Sequence, residues 1–400
     1  MGAERLLVLR SKFKRCTPLE EEVAVVSVGQ SGFSSVTPQL SYKEMMFEAA
    51  SRAYAEVGIN PRTDVDSFIC CEEDFWEGIS ITDEYVPDQL GAAQRPVCTI
   101  PQEGINGVAN GVMQILSGLA DVVVVEAHSK LSNVLTKGEV QKLSIEPYFE
   151  RPILKDGLPV AALEMQRYMH EFGVAQEQLA EVVVKNKQNG LTNPRGTYAC
   201  SIRINDVLNS EIIWEPLRKL HMSQPADGCV VVVLASAEKA RLLTDQPVWV
   251  KGMGWFSDTP WVSMRDFSKA VYAEGAAKMA YKMAGIDNPA RFFDFAEVDD
   301  TFAYKELQHL EALGIYPVGK AGEATEKGET SANGSMPVNP SGGSLSMGEL
   351  LETNGLVRLA EAVLRLRGRC SGPPRTAEKA VVQNWRGLPT ASGSVIVLGV

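Results

Sequence analysis

The feature that most constrains this chain is an internal repeat. Ala49-Ala50-Ser51-Arg52-Ala53-Tyr54 through Gly58-Ile59 is matched by Ala276-Ala277-Lys278-Met279-Ala280-Tyr281 through Gly285-Ile286, at an offset of 227 (276 − 49). Each copy carries alanine at helical spacing, stops at glycine, and follows a β-branched run that also ends in glycine, Val23–Gly29 or Val248–Gly252. A second match joins Gly107–Leu116 to Gly355–Leu364, at an offset of 248 (355 − 107). Two alanine-rich amphipathic helices can agree by chance. Two matches in the same order at similar offsets favour duplication, with halves at 1–240 and 245–400. A chain of 400 residues exceeds one ordinary core, which fits two halves.

The runs Asp121–Glu126, Cys229–Leu234 and Ser394–Leu398 lack the alternation of a half-solvated strand. Separated by helical segments at 43–57 and about 104–116, they predict strands buried on both faces and an α/β class. Residues 130–225 have no counterpart in the repeat and are expected to be an insertion covering the first half. Residues 319–343, rich in Gly, Ser, Glu and Thr, are expected to form a long loop, a common functional device in compact enzymes.

Composition narrows the function classes. A net charge of −11 without a basic run argues against nucleic acid as partner. No apolar run approaches the roughly 18 residues of a membrane span. The seven cysteines include no C-x-x-C pair, so neither a zinc ribbon within the chain nor any other metal site is expected. The short basic start Met1–Cys16 does not read as a signal peptide. Reduced cysteines and a cytoplasmic location are the expectation.

Further segments make the pattern recognisable. Lys185-Asn-Lys-Gln-Asn189 precedes Asn193-Pro194, and Asp227-Gly228 enters the run Val230–Leu234. Glu297-Val-Asp-Asp-Thr-Phe302 is followed by Asn339-Pro-Ser-Gly-Gly343. In this order and spacing they resemble the thiolase superfamily, in particular the sterol-carrier-protein-like and archaeal-type thiolases, over about 22–400. The resemblance implies a five-layered αβαβα fold from two duplicated halves, usually dimeric. It implies a coenzyme A thioester as ligand, reached through a pantetheine tunnel, and no permanently bound cofactor. Asn339, Ser341, Gly342, Gly343 and, at a strand end, His128 are then candidates for binding that ligand. For His128 the competing reading is structural, and for the glycines it is a tight turn.

Thiolase chemistry needs a cysteine at a helix N-terminus, a histidine that lowers its pKa, and a base for the second thioester. Counting back from Ser117-Gly118 aligns Pro101-Gln-Glu-Gly104 with the family's Cys-x-Ser-Gly, which puts Pro101 at the nucleophile position. The second repeat offset pairs Pro101 with Glu349, where the family has the histidine of Gly-His-Pro. Asp299 replaces the histidine of Glu-x-His-Asp, and Gly387–Gly393 offers no cysteine or histidine. Proline suits the first turn of a helix. Cys98, three residues upstream, would serve as nucleophile only if the alignment slips; a small buried hydrophobe is the other reading. Glu103, Asp299 and Glu349 are expected to converge on one pocket as carboxylates that raise one another's pKa. The alternatives are a first-turn helix residue for Glu103 and salt-bridged groups for Asp299 and Glu349. Tyr304 reads as a core or interface residue.

Three functions follow as expectations. One is an enzyme that makes or breaks a carbon–carbon bond in a coenzyme A thioester without acylating itself, like thiolase-like aldolases, which work with a small OB-fold, zinc-ribbon partner. Those aldolases look to carry tyrosine where this chain has Glu349. The second is a silent subunit paired with an active thiolase homologue. The third is an ordinary thiolase using Cys98.

Overall fold

The structure, a computed structural model, describes residues 21–400 apart from 75–83, 86, 135, 155–156, 371 and 375. The basic start Met1–Cys16 lies outside the described residues. The strands are β1 (Val23–Ser34), β2 (Ser67–Cys71), β3 (Val97–Ile100), β4 (Val122–Lys130), β5 (Ile212–Trp214), β6 (Leu217–Arg218), β7 (Asp227–Ser236), β8 (Val248–Ser257), β9 (Phe295–Glu297), β10 (Lys379–Trp385) and β11 (Ser392–Gly399). The helices are α1 (Tyr42–Val57), α2 (Pro61–Asp64), α3 (Gly104–Leu116), α4 (Lys137–Lys142), α5 (Leu158–Phe172), α6 (Gln176–Gly190), α7 (Ile204–Leu208), α8 (Ala237–Leu243), α9 (Val271–Ala284), α10 (Ala303–Ala312), α11 (Ala321–Glu326), α12 (Gly343–Met347) and α13 (Thr353–Leu366).

Nine strands form one sheet in the order β3-β2-β4-β7-β1-β8-β11-β10-β9. Reading inward from the two ends gives equivalent successions. β2 is parallel to β4, and β4-β7-β1 are antiparallel. On the other side β9 is parallel to β10, and β10-β11-β8 are antiparallel. The bridge Ala296↔Val338 stands where β3 pairs with β2. β1 and β8 meet at only two register pairs, Ala24↔Trp249 and Val25↔Val248, and there the sheet folds over on itself.

The buried side chains sort into five layers. α1 packs Met45, Ala49 and Ala53 on Ala24, Val26, Val124 and Val231. The opposite faces of the same strands, Val25, Val123, Val125 and Val232, cover the central helices α3 and α13 through Ile105, Val108, Leu356 and Val363. Val250, Ile396 and Leu398 close those helices from the other side. Beyond that second β layer, α9 and α10 pack Ala276, Ala280 and Leu307 on Val381, Val395 and Val397. The thiolase-type αβαβα arrangement expected from the sequence is thus present. The unalternating valine runs arise because both faces of these strands are covered.

Two local expectations need correction. β1 continues past Gly29 to Ser34, because β7 offers it partners from Ser236 to Asp227, with register shifts along the way. The 319–343 segment is not all loop: it contains the one-and-a-half-turn helix α11.

Candidate active site

The two central helices begin side by side. Gly104 N–H, at the start of α3, donates to Glu352 O just before α13 (2.8 Å). α3 starts at Gly104, so Pro101 is not in its first turn. Pro101 sits exposed in the preceding bend, and its carbonyl accepts from Arg386 Nη2 (2.8 Å). The N-cap is Glu103, whose Oε2 accepts from Ile105 N–H at 2.9 Å. Its Oε1 accepts from the Ser394 hydroxyl. Glu103 is 2% exposed, and burial pushes its pKa up to about 8 against the pull of the Ile105 N–H and Arg358.

Neither Cys98 nor Cys71 is set up as a nucleophile. Cys98 lies on β3 beside Gln114, and burial raises its pKa. Cys71, passed over in the sequence, is closer to the helix start, with Sγ 4.0 Å from Gly104 O. It is fully buried, and burial together with Glu103, Glu126 and Glu352 holds its pKa well above the ordinary thiol value. A dipole-stabilised thiolate needs the opposite surroundings.

Asp299 joins Glu103 in one buried polar network. Arg358, on α13, reaches Asp299 Oδ2 (3.3 Å), Asp300 Oδ1 (3.2 Å), Ser344 Oγ (2.6 Å), Val298 O (3.1 Å) and the Asn384 side chain. Asp299 Oδ1 also accepts from Thr301 N–H (3.0 Å). His309 fixes the same loop: its Nδ1 is 2.8 Å from Asp299 O, so that nitrogen carries the proton and Nε2 accepts from Tyr272 OH (2.8 Å). Burial drives His309 down to about 3, so it stays neutral. Lys305 extends the chain, donating to Tyr272 OH (3.1 Å) and Glu164 Oε1 (2.6 Å), while Tyr304 OH donates to Glu164 Oε2 (2.9 Å). Tyr304 is therefore a core residue.

The Asn339–Gly343 turn is held by the chain itself. Asn339 Oδ1 accepts from Val298 N–H (2.8 Å) and its Nδ2 donates to Glu306 (2.8 Å). Ser341 Oγ donates to Glu297 Oε2 (2.6 Å), a carboxyl that burial raises to about 7. Gly342 and Gly343 have φ of 104° and 59°. A Cβ would crowd Gly190 at the first and overlap the Asp300 carboxylate at the second. The close approach these glycines permit is to protein, as a tight turn requires. Asp300 in turn accepts from Ser344 N–H (2.6 Å) and Leu345 N–H (3.1 Å), and burial raises it to about 6.

The expected convergence of three carboxylates is only partly realised. Glu349 does not share the Glu103–Asp299 network; it pairs with Lys137, on α4. Backbone bonds fix it, Glu349 N–H to Gln224 O (2.8 Å) and Ala226 N–H to Glu349 O (3.0 Å). Its side chain is 15% exposed and that of Lys137 23%, whereas Asp299 is fully buried. His128 faces the other way, on the outer side of β4, stacked on Tyr42 (5.1 Å between centroids) with Nδ1 3.1 Å from Glu126 Oε1. Two clefts of about 400 and 220 Å³ are lined by none of the predicted site residues.

The sequence reading missed Arg358, Ser394, His309 and Lys137. Arg358 had a signal, a cation flanked by Leu356, Val357, Leu359 and Ala360 in the repeat helix; Lys137 had none. Chemically, the site offers a buried seam in which Glu103 has a raised pKa and Asp299 is paired with Arg358, and a separate, partly exposed carboxylate–ammonium pair, Glu349 with Lys137.

Comparisons with known proteins agree with this architecture. Residues 256–399 match the family model "Thiolase C-terminal domain-like". An acetyl-CoA acetyltransferase of Methanothermobacter thermautotrophicus is 31% identical over 384 residues, covering 94% of this chain and 98% of the relative. A 17-hydroxy-3-oxo-4-pregnene-20-carboxyl-CoA lyase of Mycobacterium tuberculosis is 28% identical, covering 95% and 100%. The solved Ltp2-ChsH2(DUF35) aldolase superposes with a TM-score of 0.82 at 26% identity, covering 95% and 98%.

Proposed function

This chain belongs to the thiolase superfamily, among its sterol-carrier-protein-2-like members, and from that premise we propose that it makes or breaks a carbon–carbon bond in a coenzyme A thioester without a covalent acyl-cysteine. The observation that carries this reading is the start of α3. Pro101 and the N-cap Glu103 occupy the turn, the Cys71 thiol beside it has a raised pKa, and Cys98, also with a raised pKa, lies against Gln114 in the last turn of α3. The lyase and aldolase relatives support chemistry of this type.

In the cleavage direction, a base takes the proton of a β-hydroxyl. The Cα–Cβ bond breaks, its electron pair passes to the thioester as an enolate, and an acid returns a proton to Cα. The products are a carbonyl compound and a shorter acyl-CoA. Glu349 is the base in this reading, because it alone of the three carboxylates has an accessible edge. Lys137 supplies the adjacent positive charge for the enolate. Glu103 and Asp299 have structural roles in this reading, Glu103 capping α3 and Asp299 pairing with Arg358. A partner protein completes the site, as the two-protein aldolase suggests; a small OB-fold, zinc-ribbon chain is the expected form.

A second reading is favoured by one observation: every carboxylate of the seam already has a partner within the chain. It makes this chain a silent subunit of an active thiolase homologue.

The test is to incubate the protein, alone and with co-expressed partners, with 3-hydroxyacyl-CoA thioesters. The expected result is release of a shorter acyl-CoA, loss of that release in Glu349→Gln, and no acyl adduct by intact mass. Turnover that survives Glu349→Gln and Asp299→Asn in a complex assigns the chemistry to the partner and establishes the silent-subunit reading. An acyl group on Cys98 overturns both.

A further inference from the structure

The cleft of about 220 Å³ lies at the opposite end of α13 from the paired helix starts. From Thr353 to Arg365 is twelve residues, roughly 18 Å at 1.5 Å per residue. Arg195, Arg365 and Arg369 line it together with Thr192, Asn193 and a single acidic residue, Glu361. In a chain of net charge −11 this is a local excess of cation.

The three arginines are not equivalent. Arg195 is paired with Glu361, which also accepts from Asn193 Nδ2 (3.1 Å). Arg369 is 44% exposed and pairs with Glu56. Arg365 is 3% exposed, and its Nη1 donates to two neutral carbonyls, Gly372 O (2.8 Å) and Pro373 O (2.7 Å). Its buried Nε has no hydrogen-bond partner, and no carboxylate among the described residues lies within ion-pair distance. The nearby carboxylates are bonded elsewhere: Glu361, one turn back on α13, to Arg195 and Asn193, and Glu297, which feels the Arg365 charge only at longer range, to Ser341. A buried guanidinium with no carboxylate in direct contact is costly, and a planar fork of donors suits a tetrahedral oxyanion. The Thr192 hydroxyl and Asn193 amide also line the cleft but donate within the chain, to Asn189 O (3.2 Å) and Ser341 O (3.0 Å), so the arginines are its available donors.

We propose that this cleft is an anion site that binds a phosphate group, with Arg365 as its principal ligand and Arg369 closing it from the solvent side. It does not depend on the reaction proposed above. The phosphate can come from the 3′-phosphate of a coenzyme A molecule or from a free phosphate or phosphomonoester.

Isothermal titration of the full chain with inorganic phosphate tests it. Saturable one-site binding is expected, weakened about tenfold or more in Arg365→Gln, as for loss of a buried charge-assisted bond. Arg369→Ala, at an exposed position that does not threaten folding, should weaken it severalfold. Coenzyme A that displaces phosphate where dephospho-coenzyme A does not identifies the 3′-phosphate as the source. Failure of both to compete identifies a free phosphate or phosphomonoester. Absence of binding to the folded wild type, or binding that Arg369→Ala and a folded Arg365→Gln leave unchanged, overturns the proposal.

Discussion

Glu103 and Ser394, 291 residues apart in sequence, share a hydrogen bond in the buried seam where α3 begins. One residue comes from the turn before a central helix and the other from the last strand, so the contact ties the two sides of the sheet across the helix layer. The same carboxyl also caps α3. It thus does a structural task at the position where relatives with a covalent mechanism would need room for a thiolate and its acyl group.

The raised pKa of Glu103 has a definite consequence for stability. Its folded value of about 8 lies above the ordinary 4.5, so between those limits the folded chain keeps a proton that the unfolded chain has released. Stability from this group is complete below pH 4.5 and is lost as pH rises towards 8. Glu297 and Asp300, raised to about 7 and about 6, act in the same direction. Glu103→Gln keeps an acceptor for Ile105 N–H but cannot titrate. The wild type should therefore lose a few kcal/mol relative to this variant between pH 5 and pH 8. Urea melts across that range check it; parallel curves for the two proteins count against a raised Glu103.

Lys137→Met probes the accessible edge of the site. The Lys137–Glu349 pair is partly solvated, so its loss should change stability by no more than about 1 kcal/mol. If Lys137 faces a developing enolate, kcat for carbon–carbon cleavage should fall by about 10²-fold, the cost of one oxyanion-stabilising group. Turnover within a factor of two of wild type would remove Lys137 from the chemistry.

Cys98→Ser should leave turnover unchanged within about twofold. The thiol sits on β3 with a raised pKa, and a protonated thiol is a poor nucleophile. Alkylation of folded protein at pH 7 should be slow at both Cys98 and Cys71, and mass-mapped iodoacetamide labelling gives the rates. Rapid labelling of either would show a thiolate that the geometry does not provide.

How far the sequence carried follows from what each signal depends on. The valine runs and the two alanine-rich helices were legible because burial on both faces and close strand–helix packing leave a compositional mark. A Cβ on Gly29 or on Gly252 would overlap the backbone of α1 or α9, Ala49 O or Ala280 O. The family motifs gave the order of the site segments, but not which side chains meet. Glu349 was expected beside Glu103 and Asp299 because aligned positions in duplicated halves approach each other. Backbone bonds to Gln224 and Ala226 instead fix its position, and its side chain pairs with Lys137, which no motif had singled out. His128 was expected just past a strand ending at Glu126, but β4 continues to Lys130, and strand alternation turns His128 to the outer face with Tyr42. Arg358 was overlooked because its partners lie 14 to 60 residues away, a separation that periodicity does not encode.

Arg358→Met should be the most damaging single change in the seam. The guanidinium is 1% exposed and serves Asp299, Asp300, Asn384, Ser344 and the Val298 carbonyl at once. Methionine of similar length fills much of the space but leaves two adjacent buried carboxyl groups without their cation. Breaking a buried pair from one side costs about 3–5 kcal/mol, since the remaining charge stays desolvated. Neutralising the stranded partner should recover part of the loss, so Arg358→Met with Asp300→Asn is expected to be more stable than Arg358→Met alone. Asp300→Asn by itself should be destabilising, because Ser344 N–H and Leu345 N–H both depend on that carboxylate and one oxygen of the pair becomes an amide donor. Equilibrium urea denaturation of the four proteins gives the double-mutant cycle. A cycle that closes with no coupling would mean that Arg358 acts by packing alone and does not hold the Asp299–Asp300 loop in place.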